Sequence, residues 1–561
     1  MIDNFRRFMK DYGIDYYVLT DSDPHMSEYT NDYYKRRTKV SGFTGSNGTL
    51  VIGLNDAHLF TDGRYFIQAE KELKGTGIKL MKSGEKDVPS VRNFISDLSQ
   101  KGYCVCTDSN LISYNDYINF GFKDNTHSDT LYNEVYCEVF GEECSVFNPS
   151  NECEQLPLNI CGESVQSKLS KIRNNMKIKN IDVFVSSNLA SNMWILNIRG
   201  KAIPCNPLLY CHSVITMDKA FLFVFDAKNF LSLGTDIEIL EYSKLDEMLS
   251  DLNKGNVVAF DYSNTNANIG NLLQKAGLKT VDYECNVLLM KSIKNETEIN
   301  NMRKYFAKDN KIVKDFIDFV KNEDLKEYDE YSLGLKLDGM RLSDPECLDL
   351  SFDTISACGS NAAMMHYEAT KDNKSFVKQN NLYLVDSGGQ WIGATTDITR
   401  TVSIGKPTYQ MKHDYTKVLR GLLHLQNAVF IEGCTGVNLD ILAREPIWEE
   451  GDDYKCGTGH GIGYRLCVHE GPNSIRTKST AKDAVLKPGM IMSDEPGIYR
   501  KGEYGIRLEN VLLVKEKCVN DDGRFLCFEC LTYVPFDKDL ILEDEMTEKE
   551  IIWLNNYMSK C

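Results

Sequence analysis

The period of apolar and polar positions changes several times along the chain, and those changes outline its organisation. Residues 1–12 carry a helical pattern, and 16–19, 49–53 and 57–61 are short apolar runs of strand type. Helical and strand patterns in alternation predict an α/β unit. A polar stretch with little periodicity, 141–157, reads as a linker. A basic helical pattern at 164–180 opens a second unit, followed by predicted strands at 181–185, 208–216, 220–225 and 257–262. This order of helix, strand and later strands resembles the first unit and suggests a diverged duplication, although no exact repeat is present. From 291 to 320 the apolar residues Ile299, Met302, Phe306, Ile312, Phe316 and Val320 recur near three- to four-residue spacing, which predicts one long amphipathic helix. The expected organisation is therefore two α/β domains, 1–150 and 160–287, before an α+β domain at 288–561.

Composition narrows the function. The 561 residues include 64 Lys+Arg and 81 Asp+Glu, a formal charge of −17. That balance argues against nucleic acid as a partner, because binding phosphates needs a basic surface. No apolar run approaches the roughly 18 residues needed to cross a bilayer, and residues 1–14 lack the apolar segment of a signal peptide. The expectation is a cytoplasmic protein without a membrane partner, whose 18 cysteines are reduced thiols. Cys527 and Cys530 form a CxxC with no second pair at zinc-ribbon spacing and read as ordinary thiols. Asn-x-Ser/Thr triplets at Asn47, Asn295 and Asn373 then carry no meaning.

The third part holds the candidate chemistry. A strand pattern ends at Asp386, turns through Ser387-Gly388-Gly389 and returns to Asp397, so an antiparallel return would bring two carboxylates together. Two such groups repel unless protonated or bound to a cation. Taken alone, they read as solvated turn aspartates. The device recurs at Glu495 and Glu509, fourteen residues apart, with Gly502 and Gly505 between them for a reversal. Between the two pairs lies His460 in CGTGHGIG, flanked by glycines that let a backbone approach closely. Four carboxylates and one imidazole balance two divalent cations in charge. This donor set favours Mn²⁺, with Co²⁺ and Zn²⁺ as alternatives. Such a pair of ions suits the polarisation of a carbonyl for hydrolysis.

Asp386, Asp397, His460, Glu495 and Glu509, in this order and near these spacings, resemble the ligand set of the dinuclear pita-bread metallopeptidases. Segments along the whole chain, among them SEYTNDYYKRRTKVSGFTGSNGTLVI, FTDGRYFIQAEKEL, SACGSNAAMMHYEAT and WLNNY, are most similar to the three-domain, cytosolic Xaa-Pro aminopeptidases. The resemblance implies two creatinase-like α/β domains and a pita-bread catalytic domain, a homodimer, and release of the first residue from peptides with proline second. It implies Asp386 on one metal, His460 with Glu495 on the other, and Asp397 and Glu509 bridging. A metal-activated hydroxide would attack the carbonyl while Glu495 shuttles the proton. His366 and His469 would line the substrate cleft, Tyr499 and Arg507 would steady the ligand carboxylates, and Arg64 would contact the peptide. His413 and His424 lack family flanks and read as structural or surface residues. One departure is Cys456, where family members place a histidine. Two alternatives share the fold: a prolidase restricted to dipeptides, and a metal-free binding module.

Overall fold

In the computed structural model the described residues are all except 21, 123–138, 140–146, 235 and 481–482. They form two compact units. The first comprises Met1–Leu156, Ser164–Pro204 and Leu208–Val287, and the second Pro157–Glu163, Cys205–Pro207 and Leu288–Cys561. Residues 141–146 of the predicted linker lie outside the described residues. Its later part holds a short strand, Cys153–Gln155, paired antiparallel with Ile198–Gly200.

The first unit contains two sheets. One has the strand order Lys79–Lys82, Ala57–Thr61, Thr49–Gly53, Tyr16–Leu19, Val105–Thr107, with neighbours parallel, antiparallel, antiparallel and parallel. The other runs Ile237–Glu241, Ala220–Val224, Cys211–Thr216, Val183–Ser186, Val257–Phe260, with the same four senses, and then adds Lys279–Asp282 in parallel. Shared order and shared sense give the suggested duplication a topological basis. Val18, Val51 and Phe60 of the first sheet and Val183, Val185 and Phe260 of the second pack in one apolar core, so this unit is held together by burial of both sheets. The helix Val165–Lys179 starts at Ser164, whose side chain accepts from the Ser167 N–H, and ends at Asn180 in the left-handed region. The strands predicted at 181–185 and 208–216 begin later than the apolar runs suggested, because Ile181 and Leu208–Tyr210 are buried as connecting segments.

The single helix predicted over 291–320 is two: Val287–Ser292 and Glu296–Asn322. Between them Ile293 bridges to Met490 and the Lys294 N–H donates to the Gly489 carbonyl at 2.9 Å, a pairing no helix accommodates. Asn295 then caps the second helix, in a capping box with Glu298.

In the second unit, strand Asn381–Ser387 lies between Ile355–Cys358 and Ile398–Ile404, antiparallel to both. A four-stranded sheet runs Val429–Ile431, Gly523–Cys530, Asn510–Asn520, Ile491–Asp494, also antiparallel throughout. The hairpin of Gly497–Arg500 and Tyr504–Arg507 reverses at Gly502, whose φ of 81° suits glycine. Helices Glu296–Asn322 and Glu330–Leu342 cover the first of these sheets through Val313, Phe316, Leu333 and Leu337 against Tyr383, Val385 and Val402. Tyr409–Gln426 packs against the hairpin through Tyr415, Val418 and Leu422 beside Ile498 and Ile506. No disulfide occurs among the described cysteines. Cys527 and Cys530 sit three apart on one strand and so face opposite sides.

Candidate metal centre

Strand pairing in the second unit gathers acidic side chains into a buried patch. Asp386 is the penultimate residue of its strand and stands opposite Thr399, while Asp397 directly precedes the returning strand. The Glu509 N–H donates to the Thr399 carbonyl at 3.1 Å, which fastens the start of the long strand Asn510–Asn520 to the same place. On the other side the two-residue strand Gly459–His460 lies against Ile491–Asp494. A Cβ on Gly459 would sit 2.0 Å from the Ser493 carbonyl oxygen, so only glycine allows the approach. The Glu495 N–H donates to the Thr458 carbonyl at 2.8 Å, and the His460 N–H to Ser493 Oγ at 3.0 Å.

His460 Nε2 lies 3.4 Å from Asp397 Oδ2 and 3.4 Å from Glu495 Oε1. Donor atoms of Asp397, His460 and Glu509 all lie within 4.8 Å of one another, close enough to share one cation. The Nδ1 of His460 is 3.0 Å from the Gly461 carbonyl, which can only accept, so Nδ1 carries the proton and Nε2 is left to face the carboxylates. Asp386 enters the patch from its strand with Oδ2 held by Arg507 Nη2 at 2.6 Å. Arg507 also donates to Tyr499 Oη at 2.9 Å and to Thr399 Oγ1 at 3.1 Å, and Thr399 Oγ1 donates to Glu509 Oε2 at 2.8 Å. Thr399 thus joins the guanidinium to a carboxylate, a role that no spacing in the sequence signals.

The electrostatics show a pocket that calls for positive charge. Burial, with Asp397 and Glu495 nearby, pushes the Asp386 carboxyl up to about 6 although Arg507 opposes it. Burial and the neighbouring carboxylates drive Glu509 well above its usual range, and burial raises Glu495 against the pull of His460 and Arg507. Burial would lower the His460 imidazole, yet Asp397 and Glu495 push it up to about 9. Asp386 Oδ1 and Glu509 Oε1 are buried without a hydrogen-bond partner. Orphaned carboxylate oxygens are costly unless something electropositive meets them. These residues therefore fit a divalent metal by donor type, by spacing and by their unspent acceptor oxygens.

His469 packs edge-on to His460, with ring centroids 4.3 Å apart at 76°. His366 lies on a loop whose preceding carbonyl, Met365, accepts from Arg507 Nη1 at 3.4 Å. Cys456 is half-buried, with its backbone carbonyl accepting from Arg444 Nη2 at 2.7 Å. His413 pairs with Glu450 and Glu545, and His424 with Glu550, away from this patch. Arg64 belongs to the first unit, where its Nε and Nη2 grip Asp62 at 2.9 and 2.8 Å.

Residues 300–516 match the model of metallopeptidase family M24, and 524–561 match that of the C-terminal region of peptidase M24. Residues 1–121 and 147–298 match two models of the creatinase/prolidase N-terminal domain. The chain belongs to metallopeptidase family M24, with two creatinase-like N-terminal α/β domains followed by a pita-bread domain. More narrowly, it is 35% identical to Xaa-Pro aminopeptidase 1 of Dictyostelium discoideum over 582 residues, 99% of this chain and 91% of that protein. It is 37% identical to the "Probable Xaa-Pro aminopeptidase P" of Sordaria macrospora, over 98% of this chain and 93% of that one. Among solved structures, the X-prolyl aminopeptidase of Caenorhabditis elegans, described as a cytosolic enzyme with a di-nuclear active site, superposes with a TM-score of 0.89. It is 31% identical, covering 98% of this chain and 91% of that chain.

Proposed function

We propose that this chain is a metal-dependent Xaa-Pro aminopeptidase, releasing the first residue from peptides whose second residue is proline. The observation that carries the reading is that donor atoms of Asp397, His460 and Glu509 lie within 4.8 Å of one another, with Glu495 3.4 Å from His460 and buried oxygens of Asp386 and Glu509 left without a hydrogen-bond partner. Asp386, Asp397, His460, Glu495 and Glu509 would hold two divalent cations; hard, carboxylate-rich donors favour Mn²⁺ over Co²⁺ or Zn²⁺. When bound, such a pair polarises a carbonyl and acidifies water. The protein's own groups supply the rest. Glu495, raised by burial and next to His460, is suited to take a proton from water and pass it on. Its destination would be the proline nitrogen, a tertiary amide that carries no N–H and needs a proton to leave.

His469, beside His460, and His366 would hydrogen-bond the scissile carbonyl and the carbonyl of the proline residue. Arg507 orients Asp386 and, through Thr399, Glu509, with Tyr499 fixing the guanidinium from the other side. Arg64, pre-ordered by Asp62, would serve as a peptide contact. The full reading takes 1–150, 160–287 and 288–561 as the three domains, acting as a cytoplasmic homodimer; no described helix is long and apolar enough to cross a membrane.

The test is digestion of Xaa-Pro-Pro and longer Xaa-Pro peptides against Xaa-Ala-Pro, with and without added Mn²⁺. The expected outcome is Mn²⁺-stimulated release of the first residue from proline-second peptides alone, abolished by Asp397→Ala. Cleavage confined to dipeptides would identify a prolidase, and no cleavage with any divalent ion would overturn the enzymatic reading.

A further inference from the structure

Glu470 follows His469 in the chain, and its side chain is buried between two ammonium groups. Lys291 Nζ lies 2.5 Å from Oε2 and Lys294 Nζ 2.7 Å from Oε1, with all three side chains no more than 3% exposed. Burial would raise this carboxyl, but the two lysines hold it below the usual carboxylate range. One carboxylate between two buried cations is an expensive arrangement, and such arrangements are weak evidence for stability. An apolar trio would fill the same space at no electrostatic cost.

What the trio joins is informative. The Glu470 N–H donates to the Gly461 carbonyl at 2.7 Å, and the Gly461 N–H to the Asn473 carbonyl at 3.0 Å, so the segment bearing His469 is laced to the residue after His460. A Cβ on Gly461 would lie 2.1 Å from the Glu470 carbonyl oxygen. On the lysine side, Lys294 is paired through its backbone to Gly489, and Ile293 to Met490. Met490 leads directly into strand Ile491–Asp494, which delivers Glu495. A continuous path therefore runs from the backbone of His469 through Glu470 and Lys294 to the strand that Glu495 follows.

We infer that Glu470, with Lys291 and Lys294, is a positioning element that sets His469 against Glu495 for the peptidase reaction. The inference rests on the aminopeptidase reading, and it gives the unfavourable charge trio a purpose: the directed Lys294–Glu470 hydrogen bond, with Lys291 adding charge, fixes a backbone that an apolar contact would leave free to slide.

The test uses the 561-residue chain and the triple variant K291M/K294M/E470L, whose apolar side chains replace the buried charges together, so that none is left unpaired. The expected result is a folded protein with a melting temperature near the wild type and kcat lowered about 30-fold, the order expected for ångström-scale misplacement of a catalytic group. KM for an Xaa-Pro-Pro peptide should rise by a smaller factor than kcat falls, since His469 is one of several groups that hold the peptide. In an H469A background the same triple change should cost almost nothing further, because its effect passes through that imidazole. An undiminished kcat, or an equal loss with and without His469, would overturn the inference. A structural readout separates it from the fate of the aminopeptidase reading. In ¹³Cε1-histidine spectra of the metal-free protein, the triple variant should shift the His469 signal, assigned by its loss in H469A, and leave those of His413 and His424 in place. An unmoved His469 signal would equally overturn it, whatever the wild-type protein cleaves.

Discussion

The two loops that present His366 and His469 are each pinned by a buried glutamate, in opposite chemical ways. Glu330, fully buried at the start of its helix, accepts from Cys358 N at 2.6 Å, Ser375 N at 2.7 Å, Tyr367 Oη at 2.8 Å and Asn361 Nδ2 at 3.0 Å. Every donor is neutral and lies in the loop it holds or, for Cys358, at the end of the strand that leads into it. Glu470 takes its partners from two lysines far away in sequence, and both are charged. Burial raises the carboxyl of Glu330, although its four donors oppose the shift, whereas the lysines lower that of Glu470. The first loop is thus fastened to a neutral hub that it largely builds for itself. The second is fastened by charge to another part of the unit, so its position depends on the connection between the two helices at 287–322.

Removing the charge separates the two designs most strongly. Glu470→Gln leaves two buried ammonium groups without a counter-ion, which costs about 3–5 kcal/mol. Glu330→Gln keeps one acceptor oxygen but turns an amide N–H₂ toward donors, a mismatch of about 1–3 kcal/mol. Equilibrium urea unfolding should therefore show a clearly larger loss for Glu470→Gln; equal losses, or the reverse order, would erase the distinction.

Acid should separate the loops next. Glu470 has its folded pKa depressed, so its contribution is present above the unfolded value near 4.3 and lost as pH falls from there toward the folded value. Glu330 has its folded pKa raised, so its contribution is complete below about 4.3 and declines as pH rises through the folded value. Lowering the pH from 7 to below about 4 should then release residues 461–473 to hydrogen exchange before 358–375. Exchange rates corrected for intrinsic chemistry would decide this, and simultaneous release would contradict the contrast.

Much of this frame was legible in the sequence, and the rest has identifiable reasons for escaping it. Strands Tyr16–Leu19, Thr49–Gly53 and Ala57–Thr61 coincide with their apolar runs because buried sheet strands carry their own pattern. The return from Asp386 toward Asp397 was legible because a strand ending in a turn predicts its antiparallel partner. The break at 293–295 was not, since its cause is a pairing with 489–490, nearly two hundred residues away, while Ile293 fits a helical stripe as well as a bridge. Lys291 and Lys294, three apart, look like the solvated face of an amphipathic helix until Glu470 is seen between them. Thr399 is one threonine among several in TTDITRT, and only its place between Arg507 and Glu509 distinguishes it.

The smallest effect is expected where the chain departs from the resemblance it shows. Cys456 packs half-buried in the apolar cluster with Tyr454 and Tyr499, and Arg444 holds its backbone carbonyl. A histidine there would bring a second polar ring toward Tyr499, whose hydroxyl already accepts from Arg507. The Arg444 contact is to the backbone carbonyl of 456, which a histidine side chain leaves in place. Cys456→His should therefore leave the melting temperature within about 1–2 °C, a change of about 1 kcal/mol for a chain of this size. It should preserve kcat or raise it severalfold, by giving the cleft an additional hydrogen-bond donor. Steady-state kinetics on an Xaa-Pro-Pro peptide measure this directly. A loss of kcat beyond tenfold would mean that the thiol itself is built into the site, and that the tyrosine–arginine contact behind Asp386 tolerates no larger neighbour.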